Sequence, residues 1–279
     1  MSTSTSTGEG RASGLRATLR SPRRRARLSR GVQYVVLLVV VVVLLAVADL
    51  GQIRRAFFDL EVAAAQLPSL FTVALVNTVV YTLLGFALGL ALGLVLALMR
   101  LSSVAPYRWI STVYIEFFRG LPALLIFIAI GTGVPLAFPG VFLDRYLAVT
   151  LALGLVGAAY IGETVRAGIQ AVPRGQVEAA RSLGMSQTRA TVTIVIPQAF
   201  RIVLPPLTNE LIMLTKDSSL TYVLGSTFAQ QELTQYGRNA LNQYQSLTPI
   251  LAAGLCYLII TIPLGLLVRR LESSTARSR

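Results

Sequence analysis

Long apolar runs broken by short polar stretches recur along almost the whole of this 279-residue chain. Residues 35–47 are an unbroken run of Val, Leu and Ala, and comparable stretches return up to residue 268. With 54% hydrophobic and only 13% charged residues, and a mean hydropathy of +0.68, the chain reads as a membrane protein rather than a soluble domain. A hydrocarbon layer of about 30 Å takes roughly 20 residues of helix, and inside it each segment must satisfy its own backbone hydrogen bonds. The fold class that follows is all-α, a polytopic bundle of about six transmembrane helices. The length leaves no room for a second globular domain.

Residues 1–30 are rich in Ser, Thr, Gly and Arg, which points to a disordered cytoplasmic tail. Residues 31–50 form a first transmembrane helix, with no trustworthy signal-peptide cleavage site after them. Residues 52–66 mix Arg54, Arg55, Asp59 and Glu61 with apolar side chains, the pattern of an interfacial helix on the outer face. A second span follows Pro68, over 69–99, where Gly85, Gly89 and Gly93 share one helical face and permit close packing. Residues 107–118 are mixed, and Arg119-Gly120-Leu121-Pro122 interrupts them before the apolar run 123–130. A loop is expected over 131–144, a fourth span over 146–169, and a polar external loop over 230–246. The fifth span, carrying Pro205-Pro206 and Lys216-Asp217, is irregular. The last covers 249–268 and leaves a short tail, 269–279.

A net charge of +13 would suggest nucleic acid in a soluble protein; here its placement sets orientation. With both termini in the cytoplasm, 20 of the 25 basic residues fall inside. The same arrangement puts the segment 171–197 in the cytoplasm. There is no His and a single Cys256, which excludes an internal disulfide and His/Cys metal sites. No Gly-x4-Gly-Lys-Ser/Thr occurs, so any ATP hydrolysis belongs to another subunit.

The segment 171–197 is the most informative polar stretch. Pro173 suits the first turn of a helix, and Glu178 is expected near its positive end. Ala179, Ala180 and Leu183 are expected on roughly one face, and Gly184 ends or bends the helix. Such a short surface helix can dock into a partner's groove; the plain alternative is an amphipathic linker. Charged residues inside spans face a cavity or a partner. Glu163 and Arg166, three apart, can pair, either as a structural pair or lining a path. Lys216 and Asp217, with Ser218 and Ser219, offer a cation and a carboxylate to a zwitterion, or else stabilise a kink or gate. Arg119 is expected to snorkel to the inner surface.

Glu178-Ala179-Ala180, followed at set spacing by Gly184, Ile194 and Ile196-Pro197, resembles the EAA loop of bacterial ABC importer permeases, with Ile196 where Leu is usual. Across about 68–268 the chain is similar to the polar amino-acid uptake branch of that family. Phe118-Arg119-Gly120-Leu121-Pro122, with Leu121 for the usual Thr or Ile, is one shared element. Tyr160, Glu163, Arg166, Gly168 and Ile169 carry a second, with Ala167 for a Gly. Pro205-Pro206, Asn209 and Lys216-Asp217-Ser218-Ser219-Leu220 carry the others.

The resemblance implies an importer permease domain over 68–268, with 31–50 an added helix outside the five-span core of many relatives. It implies a bacterial inner-membrane location and a path formed with a second permease subunit, identical or homologous. ATPase subunits holding ATP and Mg would clasp Glu178, Ala179, Ala180, Leu183, Gly184 and Pro197. An extracytoplasmic amino-acid-binding protein would dock on the outer loops. This chain would bind no cofactor itself. Another polar solute, such as an opine or a polyamine, and a secondary transporter are the alternatives; the latter lacks a visible internal duplication.

Overall fold

Helix is the only regular structure among the described residues of the computed structural model, which are 22–47 and 49–277. In chain order the α-helices are α1 (Pro22–Val47), α2 (Leu50–Phe57), α3 (Leu60–Ser69), α4 (Val76–Leu101), α5 (Ala105–Gly120), α6 (Ala123–Ile128) and α7 (Val134–Ala137). They continue with α8 (Arg145–Gln170), α9 (Arg174–Ser182), α10 (Gln187–Ala190), α11 (Ile196–Asp217), α12 (Leu233–Tyr244) and α13 (Thr248–Arg277). Among the described residues, five helical stretches are long and apolar enough to cross a membrane, or six when a bent pair is counted as one span.

The chain divides into two units, Met1–Arg55 and Ala56–Arg279. In the first, α1 is apolar on every side from residue 35 onward, with Leu37, Val42 and Val47 all exposed, as a lipid-facing helix requires. The disordered tail expected over 1–30 falls on residues outside the described ones up to 21, but is corrected from Pro22 onward. There the chain is already helical, because Pro is tolerated in a first turn and Arg is a good helix former.

The second unit is built on α4 against α8. A Cβ on Gly93 would lie 2.9 Å from Ile161, 3.0 Å from the Gly162 amide and 3.1 Å from the Ala158 carbonyl. Gly154 of α8 is matched in the same way by Leu88. The glycine stripe therefore brings the two backbones together, in line with its sequence pattern. Tyr81, Phe127, Val149, Leu153, Val156 and Leu214 form the main core around this pair. α5 is tied on by Ser111 Oγ donating to the Leu96 carbonyl (2.7 Å) and Tyr114 Oη to that of Leu155 (2.9 Å).

Other expectations change in detail. The mixed segment 107–118 lies within α5, and the chain bends by 104° at Leu121-Pro122 before 123–137, the geometry of a broken span or of a re-entrant loop. Leu121 is extended because a residue before proline avoids the helical region. The interfacial helix becomes two, since Asp59 accepts from the Glu61 and Val62 amides and starts α3 afresh. The loop over 131–144 begins as a π-turn and α7 and opens only at Phe138. The polar loop over 230–246 is mostly α12: Leu233, Tyr236 and Ala240 recur on one buried face, a periodicity hidden by the amides between them. α11 passes through Pro205-Pro206 and gives way to a 3-10 turn only at Ser218–Leu224.

Candidate functional site

The segment between α8 and α11 folds as its sequence dictates. Pro173 stands immediately before α9, and the helix ends nine residues later in a glycine turn. Gly184 has φ +87°, its amide donates to the Arg181 carbonyl (3.0 Å), and the Met185 amide reaches back to Ala180 (3.1 Å). These paired bonds close a helix end around a left-handed residue, which is why a glycine stands there. Ala180 is buried on the side of Val177, which packs on Val172, Val195 and Ala199. Ala179 and Leu183, one turn apart, face outward, and Leu183 is 87% exposed. The single shared face expected for Ala179, Ala180 and Leu183 is thus corrected. Glu178 is exposed but is the fifth residue of α9, one turn past the positive end expected for it.

α9 is not loosely hung. Gln198 Nε2 of α11 donates to Gln176 Oε1 of α9. Pro197, the second residue of α11, follows a π-turn over Thr191–Val195. Proline cannot accept the ordinary helical bond pattern, and a wider turn beside it absorbs the mismatch.

Glu163 is the hub of a charged cluster on α8. Arg100 Nη1 at the end of α4 donates to Glu163 Oε2 (2.7 Å), and Arg166 engages both carboxylate oxygens, with Nε 3.0 Å from Oε2. Arg166 also reaches Gln170, the last residue of α8. Exposed Glu116 of α5 lies 3.9 Å from Arg100. The pairing of Glu163 with Arg166 was visible in their spacing. Arg100 was not, because nothing local links residues 63 apart.

At the far end of α11 Lys216 is exposed and Asp217 half-buried, with no ion pair between them among the described residues. Ser219 is half-buried, whereas Ser218 is buried and donates to the Thr215 carbonyl (2.7 Å), so it secures the turn instead of lining an open face. Glu210, which sequence reasoning passed over, lies two turns before Asp217 within electrostatic reach of it and of Arg119. A carboxylate mid-span was the signal that should have marked it. Arg119 is exposed and lies over the ring of Tyr160, 5.6 Å from its centroid. Arg119, Tyr160, Glu210, Lys216 and Asp217 thus place charge and an aromatic ring on incompletely covered faces of α5, α8 and α11.

Comparison with known proteins identifies the family. Residues 89–277 match the family described as binding-protein-dependent transport system inner membrane component. The probable glutamine ABC transporter permease protein of Bacillus subtilis (strain 168) is 35% identical over 202 residues, covering 72% of this chain and 91% of that protein. The glutamate/aspartate import permease protein of Escherichia coli O157:H7 is 35% identical over 225 residues, covering 78% and 99%. A crystal structure of an amino acid ABC transporter with histidines superposes with a TM-score of 0.70 at 32% identity, over 77% of this chain and 98% of that one.

Proposed function

Because the chain belongs to the family of binding-protein-dependent transport system inner membrane components, we propose that α9 is the helix through which partner ATPases drive it. The chain is a membrane-spanning permease subunit of an ABC importer for polar amino acids. The observation that carries the docking role is α9 itself, a short helix between two spans, closed by a glycine turn and presenting the uncovered side chain of Leu183. An exposed apolar side chain on a short helix is suited to a partner's groove.

ATP and Mg belong to the partner, and both termini lie on its side of the membrane. When the ATPases close, α9 moves, and the Gln176–Gln198 bond with the Val172–Val195–Ala199 contacts carries the motion into α11. The hub at Glu163 keeps α4 and α8 together as one body while α11 shifts against them. Two packed arrangements alternating in this way expose the path first to one side and then to the other. Within the path, Lys216 suits the carboxylate of a zwitterion, and Asp217 and Glu210 suit its ammonium. A second permease subunit completes the path, and an external binding protein delivers the amino acid.

Co-expression with a cognate ATPase tests this. Wild type is expected to co-purify with the ATPase and, with the binding protein supplied, to take up labelled polar amino acids in liposomes only with ATP and the ATPase present. Gly184→Asp is expected to lose both. Uptake by the purified chain alone would replace the importer with a secondary carrier.

A further inference from the structure

Arg145 opens α8 and is only 8% exposed. Its Nη1 donates to the Gly225 carbonyl, and its Nη2 to the Thr221 carbonyl (3.0 Å) and to Gln235 Oε1 (2.9 Å). All three acceptors are neutral, and no carboxylate lies within ion-pairing distance among the described residues. The positive end of the α8 dipole adds to the guanidinium charge instead of offsetting it. A buried cation whose direct partners are all neutral is costly unless something further completes its surroundings.

All three buried side-chain atoms that lack a hydrogen-bond partner among the described residues belong to Arg145 and to the segment 221–226 that it holds: Arg145 Nε, Thr221 Oγ1 and Ser226 Oγ. Thr221 and Gly225 already bind Arg145 through their carbonyls, and Ser226 follows Gly225, where φ is +62°. An Nε–H only donates, and the two hydroxyls can donate beside it. The nearby carboxylates are engaged elsewhere. Asp144 accepts from the Tyr146 amide, and Glu232 from the Thr234 and Gln235 amides and the Tyr257 hydroxyl.

We propose that Arg145, Thr221 and Ser226 form a recognition site for a small monoanion, supplied either by the carboxylate of an arriving amino acid or by a halide ion. The anion accepts the unused donors and supplies a counter-charge in direct contact. Because Arg145 also holds the Ser218–Leu224 turn that follows Lys216 and Asp217, occupation of the site is linked to the position of that turn. With a substrate carboxylate as occupant the inference rests on the importer reading; the anion site itself does not.

The test uses the purified full-length chain in detergent, unfolded thermally while sodium acetate or sodium chloride replaces sodium isethionate at constant ionic strength. A saturable rise in Tm is expected, with apparent affinity weakened about tenfold in Thr221→Val and Ser226→Ala and lost in Arg145→Gln. A response to acetate alone assigns the site to carboxylates, and one to chloride alone assigns it to halides. No saturable response, or an undiminished one in Thr221→Val and Ser226→Ala, overturns the proposal, even if Arg145→Gln does not fold. ATP-dependent uptake is measured separately. Its absence beside intact anion binding would remove the importer reading and leave the site standing.

Discussion

Arg100 Nη1 and Glu163 Oε2 lie 2.7 Å apart, joining the end of α4 to α8 through a carboxylate that Arg166 holds from the other side. Replacing Glu163 with Gln leaves two guanidiniums facing each other without their anion. A loss of about 2 kcal/mol in stability is expected, from charged hydrogen bonds on groups about three-quarters buried. Thermal unfolding of Glu163→Gln, Arg100→Gln and the double variant checks it. Strict additivity of the single effects would deny the pair any coupling.

Gly93 of α4 and Gly254 of α13 have surroundings different enough for the same substitution to separate them. Gly93→Leu must push Ile161 and the Gly162 backbone aside, whereas a Cβ on Gly254 meets nothing within 4 Å. Overpacking of this kind costs about 1–3 kcal/mol, so Gly93→Leu is expected to lower the yield of folded protein in detergent while Gly254→Leu does not. Equal yields by size-exclusion chromatography would show that α4 and α8 are not in backbone contact.

Leu183 contributes little to the fold of its own chain, being 87% exposed. Leu183→Asp is therefore expected to leave Tm unchanged within about 0.5 kcal/mol of stability while abolishing ATPase co-purification. An unaltered complex would move the docking surface away from α9.

Burial pushes the Glu232 carboxyl up to about 7, against the pull of the Thr234 and Gln235 amides, the Tyr257 hydroxyl and Arg145. Between its ordinary 4.5 and about 7 the folded chain keeps a proton that the unfolded chain has released. Stability should accordingly fall as pH rises through that window and level off above it. Glu232→Gln is expected to flatten the profile. A wild-type Tm that instead rises from pH 4.5 to pH 7 would mean that the ionised form is favoured.

Much of this was legible in the sequence because lipid imposes a simple demand. Apolar length gave the spans, and the four-residue glycine spacing gave the α4 face that meets α8. The Gly184 turn was foreseeable too, since a helix end with a left-handed residue needs a glycine. What stayed hidden depended on partners distant in the chain. Arg100 finds Glu163, and Arg145 finds Thr221 and Gln235, only once the bundle has formed. α12 was missed for another reason: Asn, Gln and Thr between its buried positions masked a helical period that only packing on α13 reveals.

The backbone contact between α4 and α8 has a practical side. Where main chains touch at glycines there is little side-chain layer to repack, so the two helices are expected to keep one separation through a transport cycle. A pair of spin labels on their outer faces would then serve as a built-in ruler, reading the same distance with and without ATP. Any second pair, from α4 to α9 or α11, could be calibrated against it.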